Sequence, residues 1–390
     1  RVGVPCRCCL AARPGSVGGT CRSDRRACRS PFLHRARIGK GDVVNRGRYR
    51  AVRVKRGVIR VHRRSAIVVM LGLVFLSCLA LYSLTLGDYG LGVADSLRRL
   101  TGDGGPSEDY LGVYFVQSVR LPRVVCAVAV GASLAIAGRI FQTISGNPLG
   151  SPDVVGLSAG SATGALVAII ILGASPAATG TGALIGGLVS GALVLACSGG
   201  TRVTGIRVVL VGIGCSAALR ALNSLLVVKA PLEAAQRAQL WSAGSLNGVT
   251  FVRAFPLIVG LGVLGLSCAC AATSIGLLAM GDDVATGLGV RVRVVRVSAI
   301  VSAIVLVALA TAVAGPVAFV ALSAPHIAAR LCGGGGVGVV SSAVVGAALV
   351  LSADVVAQRI VAPAELPVGV VTGVLGGLYL LWILTREEAR

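Results

Sequence analysis

Apolar residues in this chain come in long, closely spaced blocks with only short polar breaks between them. Blocks of roughly 20 mainly apolar residues are long enough to cross a bilayer core as a helix. They occupy residues 66–86, 121–141, 154–174, 177–198, 207–228, 254–275, 297–314, 316–332, 338–357 and 367–384. The blocks greatly exceed the ~10 residues of an outer-membrane β-strand and lack strand alternation. The pattern therefore predicts an all-α polytopic membrane protein with about ten transmembrane helices; dividing the region around 183–196 differently gives nine to eleven. Pro148, Pro152, Pro316, Pro325 and Pro367 fall near the block ends, where a broken backbone ladder is least costly. One longer polar stretch, residues 87–117, separates the first two blocks and carries Asp88, Asp95, Asp103, Glu108 and Asp109.

Composition agrees with the pattern. Charged residues make up 13% of the chain, against about 25% in an ordinary soluble domain. The 54 glycines suit helices that approach closely in lipid, where apolar burial does not drive helix association. The net charge of +22 is local: residues 1–64 hold 19 Lys/Arg against Asp24 and Asp42. We therefore separate a basic segment, 1–64, from a transmembrane domain, 65–390. The segment is expected to lack regular structure and reads as a tail or as sequence ahead of the true start. Its charge says nothing about the domain, so no nucleic-acid partner is expected. Cys6, Cys8, Cys9, Cys21 and Cys28 match no zinc-ligand spacing, and the other cysteines are scattered through apolar stretches as packing residues.

Residue chemistry argues for transport and against catalysis. The chain has no Gly-x4-Gly-Lys phosphate loop. Its three histidines, His34, His62 and His326, form no catalytic or metal-binding pair. Neither an enzyme activity nor a cofactor is expected. Charges inside the spans are the better lead, because they are expensive there and mark pathways. Arg220 lies well inside the block 207–228; it either snorkels to the interface or lines a wet path. Asp354 lies in the ninth block, and Glu365 in the turn after it. The stretch Met280-Gly281-Asp282-Asp283-Val284-Ala285-Thr286-Gly287-Leu288-Gly289 reads as a short helix with Asp capping its start and Gly its end. It is either a connector or a docking element.

Several stretches together resemble the iron-chelate and vitamin B12 permease family of bacterial ABC importers. They are Arg120-Leu121-Pro122-Arg123; Gly146-Asn147-Pro148-Leu149 with Pro152-Asp153; the 281–289 loop; Gly315-Pro316-Val317-Ala318-Phe319 leading to Pro325-His326; and Ala364-Glu365-Leu366-Pro367 running to Thr372. Each is weak alone; their order and spacing over residues 66–385 carry the likeness.

The resemblance implies a vitamin B12 permease-like fold that moves a ferric siderophore or related chelate, with cobalamin or haem as alternatives. It implies a second permease chain (identical or paralogous), separate cytoplasmic ATPase subunits, an extracytoplasmic binding protein and a lipid bilayer around the spans. Gly281, Asp282, Asp283, Val284, Ala285, Thr286, Gly287, Leu288 and Gly289 would contact the ATPase. Arg120 and Arg123 would pair with carboxylates of the binding protein, joined by Arg359, which stands one position away from the family's usual place. Arg220 and Asn147 are candidate path-lining residues. Residues 333–336 and the proline-free Gly376-Gly377-Leu378 depart from the family pattern.

The basic segment favours both termini on the cytoplasmic side of a bacterial plasma membrane. The body adds no bias, with nine Lys/Arg in the inner loops against eight in the outer ones. Ion-coupled secondary transport, the rival reading, would call for paired mid-membrane carboxylates.

Overall fold

The computed structural model describes residues 49–54, 57–87, 90–101, 110–199, 205–333, 338–361 and 364–387. The five N-terminal cysteines and most of the glycine run at 333–336 lie outside them. Within the basic segment the described part departs from the expectation of no regular structure. Two strands, β1 (Tyr49–Val54) and β2 (Gly57–His62), pair antiparallel, with Tyr49 opposite His62. Val52, Val54, Val58, Ile59 and Val61 supply the β-branched residues that favour a strand.

All ten predicted blocks have helical counterparts. Among the described residues seven helices are long and apolar enough to cross a membrane, and three shorter apolar ones accompany them. The chain is a multi-pass membrane protein. In order, the helices are α1 (Arg63–Thr85), α2 (Val93–Leu100), α3 (Tyr110–Tyr114) and α4 (Leu121–Ser145); then α5 (Leu157–Leu166), α6 (Pro176–Cys197), α7 (Gly205–Lys229) and α8 (Leu232–Ser242). The second half has α9 (Phe251–Gly260), α10 (Leu266–Cys270), α11 (Ala272–Leu278), α12 (Asp282–Gly287), α13 (Val292–Ala314), α14 (Val320–Cys332), α15 (Val339–Arg359) and α16 (Val368–Glu387). A wider π-helical turn joins α3 to α4 and another follows α5, so Tyr110–Ser145 runs as one 36-residue helix.

The core forms around α4, which packs on α13, α14 and α15. Its sequence explains its position: Gly131, Ala132, Ser133, Ala135, Ala137 and Gly138 leave little side chain between backbones. At the α4–α15 crossing a Cβ on Gly131 would overlap the Gly346 carbonyl, and a Cβ on Gly346 would overlap Gly131 and Ala135. Only glycine lets these two helices meet. In contrast, α1, α7 and α9 keep most of their apolar surface outward, as a lipid-facing or partner-facing helix must.

Alternating passes give the bundle two ends. One carries α12 and the start of α13; the other carries α2, the start of α4 and the end of α15. Much of the polar stretch 87–117 folds onto this second end, where the Gln117 side chain donates to the Arg99 and Leu100 carbonyls at 3.0 and 3.2 Å.

Candidate functional site

Helix α14 has only 13 residues, about 20 Å at 1.5 Å per residue, too short to cross alone. The chain between α13 and α14, residues 315–319, therefore turns back inside the bundle. Gly315 (φ 72°) makes that turn against the Trp241 carbonyl and Gly244. Phe319 follows at φ 65°, the one non-glycine residue with left-handed backbone among the described residues. Such a conformation costs about 1–3 kcal/mol and persists only where packing enforces it; here Gly376 of α16 lies against the Phe319 side chain.

This break forms one wall of an open cleft of about 670 Å³. Pro316, Val317, Phe319 and Leu322 make that wall apolar. The opposite wall is polar and comes from the 146–156 connection, α5 and α7. Asp153 accepts from the Ser158 hydroxyl, and its amide donates to Ser151 Oγ at 3.2 Å. Gly156 packs on Ser216 of α7, and Ser190 of α6 donates to its carbonyl at 3.1 Å. Asn223 ties α7 to α5 by accepting from Thr163 Oγ1 at 2.7 Å and donating to the Ala159 carbonyl at 3.2 Å.

Arg220 enters this cleft. Its Nε and Nη2 donate to Ser216 Oγ at 3.1 and 2.9 Å, one turn back toward the middle of α7. The guanidinium stays near Ser216 and Gly156 and faces the cleft, and its hydrogen bonds do not run toward the helix end at Lys229. Asn147 does not line the cleft. It is exposed, its Oδ1 accepts from the Leu149 amide at 2.9 Å, and it shapes a turn that sends Leu149 to the cleft instead.

The second element is α12. Gly281 (φ 97°) and Gly289 (φ 84°) bracket it in conformations that suit glycine. The expected Asp cap is absent: Gly281 holds the cap position, and Asp282 accepts instead from Arg296 of α13, at 3.0 Å from Nη1 and more closely from Nη2. Hydrogen bonding from Arg296 holds the Asp282 carboxyl below the usual carboxylate range, against a weaker opposing push from burial. Ala285 anchors the helix with no exposed surface, while Met280, Val284 and Leu288 are 64%, 49% and 61% exposed. Val284 and Leu288, four residues apart, share one face of the helix, and Met280 adds exposed apolar surface just ahead of it, beyond the non-helical Gly281. The apolar face was missed by sequence reasoning, although its period was there to be read.

At the other end the structure places the three arginines differently from a row of surface cations. Arg123 is largely buried. Its Nε donates to both Asp354 oxygens at 3.1 Å, Nη2 to Oδ1 at 3.0 Å, and Nη1 to Glu365 Oε2 at 2.9 Å. Gln358 adds a hydrogen bond to Asp354 at 2.8 Å. Arg120 is buried too, with Nη1 on the Leu84 carbonyl at 2.8 Å. Both were expected to reach a partner's carboxylates, but an arginine at this apolar boundary is better stabilised by groups that the fold brings to it. Only Arg359 projects outward. The Arg123–Asp354–Glu365 cluster escaped sequence reasoning; its one signal was that a carboxylate inside a span needs a partner.

With this geometry in hand, known proteins supply the family. The profile of the FecCD transport family matches residues 73–386. The ferric enterobactin transport system permease protein FepG of Escherichia coli is 40% identical over 271 residues, 70% of this chain and 82% of that protein. The hemin transport system permease protein HmuU of Yersinia pestis is 33% identical over 280 residues, 70% of this chain and 83% of that protein. A solved structure described as an inward-facing conformation of a metal-chelate type ABC transporter superposes with a TM-score of 0.72 at 27% identity. It covers 83% of this chain and 99% of that one. This chain belongs to the FecCD transport family.

Proposed function

We propose that this chain is the permease subunit of an ABC importer for ferric siderophores or related iron chelates. ATP is hydrolysed on separate subunits that dock at α12, and a second permease chain completes the path along the cleft. An extracytoplasmic binding protein delivers the ligand at the end carrying α2 and Arg359. This puts the α12 end, with the start of α1 and the end of α16, in the cytoplasm of a bacterium. The chain performs no chemistry on its load.

The observation that carries this reading is α12, a short helix seated by Ala285 and Arg296 that presents Met280, Val284 and Leu288 to whatever lies beyond. An apolar patch on a rigid mount is what one mobile partner needs in order to move another. The Arg123–Asp354 pair disfavours the ion-coupled alternative, because a carboxylate held by a guanidinium and a glutamine is poorly placed to cycle a coupling ion. Haem is the second load to consider, since one relative in the comparison is named for hemin.

The test is ATP-driven accumulation of radioiron chelate in proteoliposomes holding the full complex. Replacing Asp282 and Asp283 together by alanine should abolish accumulation while ATP hydrolysis continues. Normal accumulation by that variant would remove α12 from the coupling path.

A further inference from the structure

We propose that Arg220 makes the cleft a selector for negatively charged, oxygen-rich chelates of the catecholate or carboxylate kind over neutral ones. The inference rests on the importer reading above and names the class of its load. A guanidinium offers five N–H donors. The hydrogen bonds of Arg220 go to a single neutral acceptor, Ser216 Oγ. Among the described residues no carboxylate lies within ion-pair distance of it, whereas Arg123 holds two. Its charge is therefore held in place by Ser216 and offset only in part, by Asp153 on the same wall, which interacts with it electrostatically without forming an ion pair. Arg220 is exposed on this chain; a guanidinium held at that depth in a span is expensive, and a transient anion is a partner that would offset the cost.

The cleft suits that ligand in two further ways. Its apolar wall, with Phe319, can take the aromatic or alkyl body of a chelate while the polar wall takes its oxygens, the usual division of labour in a ligand pocket. Asp153 stands on the same wall as Arg220, held by Ser158. This second, opposite charge weakens any anion bound there, and a path must release what it binds.

The experiment is equilibrium binding of two radioiron-labelled probes, trianionic ferric tris-catecholate and a neutral ferric tris-hydroxamate, to the full complex in nanodiscs at low ionic strength. Arg220→Gln should weaken the trianion about tenfold or more, the worth of a lost charge-assisted contact, and shift the neutral probe less than about twofold. Arg220→Lys should keep the trianion within about threefold, and Asp153→Asn should tighten it. Equal weakening of both probes by Arg220→Gln, or none, would overturn the selector. If Arg220→Gln fails to assemble, Arg220→Lys and Asp153→Asn decide: a trianion affinity lost in the first or unmoved in the second sinks the idea. A wild-type complex that, moved to proteoliposomes, accumulates neither probe with ATP would overturn the importer reading itself, and the selector with it. Accumulation of both, unaffected by these substitutions, would sink the selector alone.

Discussion

Arg123 and Asp354 carry the clearest energetic statement at the scale of single residues. Asp354 is fully buried and Arg123 nearly so. Removing one member of such a pair leaves an unpaired buried charge, which costs about 3–5 kcal/mol, while replacing both by apolar residues of similar volume is often neutral. We expect Arg123→Met and Asp354→Leu each to lower the melting temperature of the complex in nanodiscs sharply. The double substitution should recover most of the loss. An additive double variant would mean that the two do not act as a pair. The Asp282–Arg296 contact is different, because Asp282 is half exposed and water screens the pair. Its carboxyl is held below the ordinary range, so the stabilisation is complete above the unfolded carboxylate pKa and is lost as pH falls through the lower folded value. Amide protection over residues 282–289, taken relative to the intrinsic exchange rate at each pH, should be flat from neutral pH down to the ordinary carboxylate range and fall only below it. Asp282→Asn should exchange faster at neutral pH and show no such step.

Helices that must touch set the terms at the scale of elements. The α4–α15 crossing tolerates no side chain at Gly346, because Gly131 and Ala135 occupy the space. Gly346→Val forces two core helices apart; overpacking of this kind costs about 1–3 kcal/mol or more. A lowered melting temperature with intact helical circular dichroism is the expected result, and an unchanged one would show that the crossing can shift. The ten blocks were legible element by element because a span is a local property, set by length and apolar content. The short α14 was less legible. Its block began at residue 316, yet regular helix begins only at Val320, because Gly315 and Phe319 take left-handed backbone imposed by neighbours that arrive from α8 and α16.

At the scale of the whole molecule, the proposed function requires the exposed apolar surface at α12 and the cleft to act together. Met280, Val284 and Leu288 touch the rest of the chain little, so replacing all three by serine should leave the melting temperature of the isolated permease nearly unchanged. In the assembled complex the same change should uncouple ATP hydrolysis from chelate accumulation. A variant that accumulates chelate normally would mean that the apolar face is not the contact.

Sequence alone determined what depends on neighbours along the chain. It set the number and order of the spans, the glycine-bracketed helix at 281–289, and the presence of a cation inside the seventh helix. Hydropathy over ~20 residues and backbone preference over a single turn act before any tertiary contact forms. Tertiary structure decided which charges find partners. Arg123 and Asp354 stand 231 positions apart, and no local rule distinguishes an arginine that will meet a carboxylate from one that will not. The same packing withdrew Arg120 and Arg123 from the surface, turned Asn147 away from the cleft, and left Arg220 facing into it. In a low-dielectric interior the energy of a charge is set by what lies within a few ångströms of it, and only the folded bundle specifies that.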